Sequence, residues 1–241
     1  MKKLLPDGDE QNGIYAVANR LMEAANMIAA IVAGIFLPLF SSMLKKKESV
    51  NAIVENSMLL LILPAVCVAA IAWYYNQDIM LLISKTSPIE SAPVFKVVMI
   101  SFASMCFMYI FGTLLTANGN LKTLNSLAAI AIGINLFFNF LLQPRYGALG
   151  AAIAMAFTQF FIAVSNTYYA FTKIKIGISY RFLVKFSLII CLSVLSVKLC
   201  SIYVHNFWIA SFISAIVVLI AVFVTKLVQL SQLKILFSKS N

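Results

Sequence analysis

The chain has 241 residues, of which 62% are hydrophobic and 11% charged, with a formal net charge of +10. Soluble domains carry roughly 45–50% apolar and about 25% charged residues, so this composition, with a mean hydropathy of +0.97, excludes an ordinary soluble domain and predicts an integral membrane protein. The positive charge does not point to a nucleic-acid partner, because the Lys and Arg residues fall in short segments between apolar stretches, where such residues set membrane orientation.

A spanning helix needs about 20 mostly apolar residues. Seven stretches qualify, at 13–43, 54–76, 94–117, 123–143, 148–171, 183–204 and 207–229. The predicted fold is therefore all-α, a polytopic bundle of about seven transmembrane helices over residues 13–229, flanked by tails at 1–12 and 230–241. Lys2 and Lys3 resemble the start of a signal peptide, but Pro6, Asp7, Asp9 and Glu10 interrupt its apolar core, and no cleaved signal is expected.

The first span carries the most informative residues. Arg20 and Glu23 lie inside an otherwise apolar helix, and charges in hydrocarbon are costly enough to face a bundle interior or a watery cavity. On a helical wheel Asn19, Arg20, Glu23, Asn26, Ala30 and Gly34 share one side, and Val17, Leu21, Ile28, Val32 and Ile35 the other. The first face is expected to meet protein or water. Arg20 and Glu23, at i and i+3, are close enough to pair. Two readings fit: a translocation cavity in which Arg20 attracts an anionic group, or a structural ion pair with Arg20 snorkelling to the interface. Pro38 in this span and Pro64 in the second are expected to kink their helices.

The segment Gln77–Pro93 reads as the longest loop. In the fourth span Asn135, Asn139 and Gln143 form a stripe at i, i+4, i+8; such amides either line a cavity or hold helices together. Thr158 and Gln159 in the fifth span, with Ser165 and Asn166 seven residues later, admit the same two readings. Gly147, Gly150, Ala151 and Ala154 open the fifth span with spacing that lets helices approach closely. Lys198 in the sixth span is expected to snorkel, His205 sits in a turn, and the alternating segment after Lys226 is expected to lie on the membrane surface. The four cysteines fall in apolar stretches without a CxxC pair and read as small buried hydrophobes.

Charge sets the expected topology. The loops after the first, third and fifth spans and the C-terminal tail hold eleven Lys and Arg residues, against five on the opposite side. The positive-inside rule then places the N-terminus outside and the C-terminus in the cytoplasm. An external N-terminus followed by seven spans suits the second half of a longer protein, or a complete seven-helix protein with an exported tail. No nucleotide-binding loop, metal cluster or nucleophile–base arrangement is apparent in the sequence, so no catalytic residue, metal ligand or cofactor is expected and the chain is not read as an enzyme.

The run Gly13-Ile14-Tyr15-Ala16-Val17-Ala18-Asn19-Arg20-Leu21-Met22-Glu23 resembles the G-I-Y-x-x-A-x-R-L-x-E helix start of bacterial polysaccharide (O-antigen type) flippases of the multidrug/oligosaccharidyl-lipid/polysaccharide exporter superfamily. Pro38-Leu39-Phe40-Ser41 resembles their P-x-x-S helix end. Asn135 to Asn139, followed by Gly147-Ala148-Leu149-Gly150-Ala151-Ala152-Ile153-Ala154, resembles their N-x-x-x-N … G-A-x-G-A-A-x-A segment. The likeness covers roughly residues 10–160.

The resemblance implies the C-terminal bundle of a fourteen-span flippase in the bacterial cytoplasmic membrane, moving undecaprenyl-diphosphate-linked sugars outward. It implies as partners a lipid-linked oligosaccharide, membrane lipid and an N-terminal half supplied by another chain. Arg20 would then contact the diphosphate or sugar and Glu23 would take part in ion coupling. The substrate-binding candidates are Arg20, Glu23, Asn26, Asn135, Asn139 and Gln159. The alternatives are a drug/cation antiporter or lipid II flippase of the same superfamily, a non-transporting remnant or accessory subunit, and a membrane-embedded sugar polymerase.

Overall fold

The computed structural model describes residues 7–204 and 206–225. These form seven helices: α1 (Gly8–Lys45), α2 (Asn51–Tyr74), α3 (Asn76–Ile83), α4 (Pro88–Ala117), α5 (Leu121–Ile174), α6 (Tyr180–Tyr203) and α7 (Phe207–Val224). All but α3 are long and apolar enough to cross a membrane. His205 and the segment after Lys226 lie outside the described residues.

At 54 residues, α5 would be about 80 Å long if straight, far beyond a hydrocarbon core of about 30 Å. It is instead bent at Gly147, whose φ of 54° and ψ of −127° are not helical. The bend folds α5 back on itself. Asn135 Nδ2 donates to Thr158 Oγ1 at 3.2 Å, and the rings of Phe138 and Phe157 stack 4.9 Å apart. The expected spans 123–143 and 148–171 are thus the two limbs of one helical hairpin.

Small residues permit this closure. A Cβ on Gly150 would run into the Leu142 carbonyl, and one on Gly147 into the Gln11 side chain. Ala148, Ala151, Ala152 and Ala154 are buried beside them. Gln11 also serves the bend directly: its Oε1 accepts the Ala148 N–H at 2.9 Å. This satisfies one of the backbone donors that every helix start leaves without an intrahelical partner. Tyr15 continues the contact, its hydroxyl 3.3 Å from Met155 Sδ, so α1 runs alongside the second limb.

The second helix accommodates its proline by widening. Pro64 has no N–H to return to residue 60, and the turn just before it, Met58–Ile62, is a π-helix. Leu63 N–H reaches back five residues to Met58. The Ser57 hydroxyl donates to the Ile53 carbonyl at 2.5 Å in the preceding turn. The proline-linked irregularity is therefore a π-turn, which often accompanies such insertions. In α1, by contrast, the helix passes through Pro38 and continues to Lys45.

The centre of the molecule is α4, which packs against α1, α2, α3 and α5. Its buried stripe includes Val98, Cys106, Ile110, Phe111, Leu114 and Leu115. The pair α6 and α7 packs against α2 at the edge, where Tyr75 donates to the Val204 carbonyl at 2.9 Å. Cys67, Cys106 and Cys200 are buried, whereas Cys191 faces outward. Lys198 is also exposed.

The loop expectation for Gln77–Pro93 is corrected. Most of that segment is helical, as α3 and the first turns of α4. Leu81, Leu82 and Ile83 of α3 are exposed, and their closely spaced apolar groups were masked in the sequence by the flanking Ser84, Ser87 and Pro88 turn residues. Beside α3, Lys96 Nζ lies 4.9 Å from the centre of the Trp73 ring.

The hairpin depends on two glycines for different reasons. Gly150→Ala should fail through backbone collision, and Gly147→Ala through a positive φ with a cost of about 1–3 kcal/mol. Both should lower the thermal midpoint of the detergent-solubilised protein, whereas Gly133→Ala, where a Cβ meets nothing within 4 Å, should leave it unchanged or raised.

Candidate functional site

The site is built on α1, which is covered on one side alone. Ile14, Ala18, Met22, Ala29, Ala33, Phe36 and Phe40 form its buried stripe. Arg20 and Glu23 are exposed on the opposite side, together with Met27 and Ile31, which are 70% and 71% exposed. Ile28 and Ile35 are uncovered as well. The packed stripe therefore lies between the two faces expected from the sequence, because small residues such as Ala18, Ala29 and Ala33 let α4 and α5 approach there.

The expected Arg20–Glu23 pair is also corrected. Asn19 Nδ2 donates to Glu23 Oε1 at 2.5 Å, and among the described residues no ion pair joins Arg20 to Glu23. A helix offers Glu23 a neighbour at i−4 as well as at i−3, and the amide one turn earlier takes the carboxylate. Arg20 is left open, with no hydrogen bond to another described side chain. A guanidinium has five donors in a planar fork, and an open one can receive a phosphate or carboxylate in bidentate fashion.

Asn26 sits one turn further along, at the edge of the packed stripe. It accepts the Tyr109 hydroxyl of α4 at 2.9 Å. Sequence reasoning missed Tyr109, since no pattern links a tyrosine in one span to an asparagine 83 residues earlier.

The other candidates form a separate set inside the hairpin. Asn139 Nδ2 donates to Asn135 Oδ1 at 2.9 Å, and Gln143 Nε2 donates to Asn139 Oδ1 at 2.6 Å. With the Asn135–Thr158 bond this makes a ladder that ties the two limbs together. Gln159 keeps a buried Oε1 without a partner. Among the described residues no hydrogen bond connects the ladder to Arg20, Glu23 or Asn26.

Below Asn26 the same flank of α1 borders an open groove of about 460 Å³. Ala30 and Gly34 of α1, Tyr109 and Gly112 of α4, and Leu127 and Asn166 of α5 line it. It lies toward the end of the bundle that carries Lys45, Lys46, Lys47, Lys122 and Lys173. Among the described residues no cluster of three or more His, Cys, Asp or Glu side chains is arranged to hold a metal ion.

Fold and site together describe a bundle with six helices long and apolar enough to cross a membrane and two charged residues on the uncovered side of one of them. No protein-family model matches the chain. Over 164 residues, 67% of the chain, it is 21% identical to the capsular polysaccharide biosynthesis protein CapF of Staphylococcus aureus. This is a distant similarity to a protein of polysaccharide biosynthesis, and the matched stretch spans 41% of that relative's length.

The exposure of α1 predicts a labelling pattern. In a cysteine-free background, cysteines at Arg20 and Glu23 should react with a water-soluble maleimide in the purified protein, and cysteines at Ala18 and Met22 should not. Tyr109→Phe removes one bond between helices and should lower stability by about 0.6 kcal/mol, the average measured for such bonds in membranes.

Proposed function

We propose that the chain is one helical bundle of a transporter that moves a lipid-linked oligosaccharide across the cytoplasmic membrane during surface polysaccharide synthesis. The observation that carries this reading is the position of Arg20 and Glu23 on the side of α1 that no other described helix covers. Charges placed there in bare hydrocarbon would cost several kcal/mol. Water or a polar substrate facing that side removes the cost. The similarity to CapF supports the link with polysaccharides, and the resemblance of the Gly13–Glu23 and Asn135–Ala154 segments to polysaccharide flippases supports the link with transport.

In this reading α1 corresponds to the eighth span of a fourteen-span flippase, and a second bundle, supplied from outside these residues, faces it across the pathway. The lysine-rich end lies in the cytoplasm. Arg20 receives the diphosphate, and Glu23, held by Asn19, takes part in ion coupling. Asn26 borders the pathway, while Asn135 and Asn139 maintain the hairpin that supports it. The driving force comes from an ion gradient.

A hydrogen bond to a charged group contributes about 1.5–3 kcal/mol, roughly a 10- to 150-fold change in binding. An Arg20→Ala/Glu23→Ala chain replacing the native one in its own cell should therefore reach the membrane in normal amount and reduce surface polysaccharide by roughly tenfold or more. Normal polysaccharide on cells with the double variant would remove the basis of the reading.

A further inference from the structure

The short helix α3 leaves its apolar end uncovered. It packs against α4, with Met80 fully buried and Ile79 against the core. Its other side begins with Gln77 and Asp78 and ends with Leu81 and Leu82, all exposed. Ile83, and Ile89 in the first turn of α4, are exposed as well. Apolar side chains grouped in this way mark a contact with a membrane or with another protein.

The position of α3 decides between the two. Only Tyr75 separates it from α2, and a turn closed by the Ser87 N–H on Ser84 Oγ at 3.4 Å leads from it into α4. Both α2 and α4 are long and apolar enough to cross a membrane, so the segment that joins them lies where two spans reach one bilayer surface. The rings at this end are of the kind that collects there. Trp73 is 44% exposed in the last turn of α2. The bond from Tyr75 to the Val204 carbonyl brings the α6–α7 connection to the same level, with the exposed Tyr203 and Trp208 on either side of it. Lys96 Nζ, 4.9 Å from the centre of the Trp73 ring, marks the level on α4, since a lysine at the edge of a span reaches for the headgroups. The turns of α4 from Pro88 to Lys96 rise about 12 Å beyond that level. A helix on a bilayer surface sinks its apolar side about 5–10 Å into the boundary of headgroups and acyl chains, which is the same depth scale. Lipid is already present there, whereas a second protein would have to enter the headgroup layer to cover Leu81 and Leu82.

Charge defines the kind of surface. Residues 75–96 carry Asp78, Lys85, Glu90 and Lys96, which balance, so the segment makes no demand for anionic headgroups. We infer that α3 is a surface anchor that lies on a phospholipid bilayer and fixes the depth of the α2–α4 pair, with Leu81, Leu82 and Ile83 among the first acyl carbons and Gln77 and Asp78 toward water. The inference is independent of the transport reading, because it uses neither Arg20 nor Glu23.

The test is nitroxide scanning of the whole chain in phosphatidylcholine nanodiscs. Cys191, the exposed cysteine, is replaced by serine, and the buried Cys67, Cys106 and Cys200 are kept. Single labels are introduced through Gln77→Cys, Asp78→Cys, Leu81→Cys and Leu82→Cys, all at exposed positions that the core does not need. Leu192→Cys on α6 and Glu48→Cys after α1, also exposed, give the lipid and water references, and the parent without an added cysteine gives the background. Collision with oxygen, which concentrates in lipid, is compared with collision with a nickel chelate, which stays in water. Labels at Leu81 and Leu82 should show an oxygen-to-nickel ratio several-fold above those at Gln77 and Asp78 and below that at Leu192. Phosphatidylglycerol added to the nanodiscs should leave these ratios unchanged. Nickel access at Leu81 and Leu82 equal to that at Glu48 would place α3 in water and overturn the anchor. Low collision with both reagents would show that protein covers the patch and would overturn it equally. A raised ratio that appears only with phosphatidylglycerol would overturn the charge-independent mode of contact.

Discussion

A helix that turns back within an apolar bundle must satisfy the backbone donors at the start of its second limb, and the Gln11–Ala148 hydrogen bond does this for one of them. The same side chain occupies the space where a Cβ at residue 147 would sit. One glutamine near the start of α1 therefore both caps the second limb and leaves room for the bend only because residue 147 is glycine. The docking of α1 along α5 follows, through Tyr15 and Met155. So does the alignment of Asn135 with Thr158 across the hairpin. This coupling of a side-chain cap to a tight bend is a strong constraint on the whole bundle.

The second organising feature is the uneven burial of α1. Its small and aromatic residues pack inward, from Ala18 to Phe40, while Arg20 and Glu23 project from the opposite side. Packing on one side leaves the helix able to present a polar surface to whatever lies across from it. A helix enclosed all round would have to pair these charges internally, at a desolvation cost of several kcal/mol per ion. Asn19 holds Glu23 by a short amide bond and leaves the Arg20 guanidinium unengaged. An open apolar groove beside Gly34 continues the same flank of α1, so a polar and an apolar surface follow one another along a single helix.

The polar residues of the hairpin divide differently from those of α1. Asn135, Asn139 and Gln143 bond to one another and to Thr158, which accounts for their spacing through the closure of the two limbs. Asn166 and Gln159 each retain a buried carbonyl oxygen without a partner. The hairpin thus combines a bonded amide ladder with two unsatisfied acceptors on its second limb, one of them next to Thr158.

Composition and hydropathy alone determined that the chain is an all-helical bundle suited to a membrane, because a run of about 20 apolar residues has few other stable fates. The charges at positions 20 and 23 were legible for the same reason: they are conspicuous in an apolar helix. Tertiary structure decided which partners these residues take. Helical spacing allowed Arg20–Glu23, but Asn19 competes for the same carboxylate from one turn away, and only the side-chain placement settles that competition. The Tyr109–Asn26 bond and the Gln11 cap join residues 83 and 137 positions apart. Such contacts depend on how helices pack, and periodicity along one helix carries no information about its neighbour.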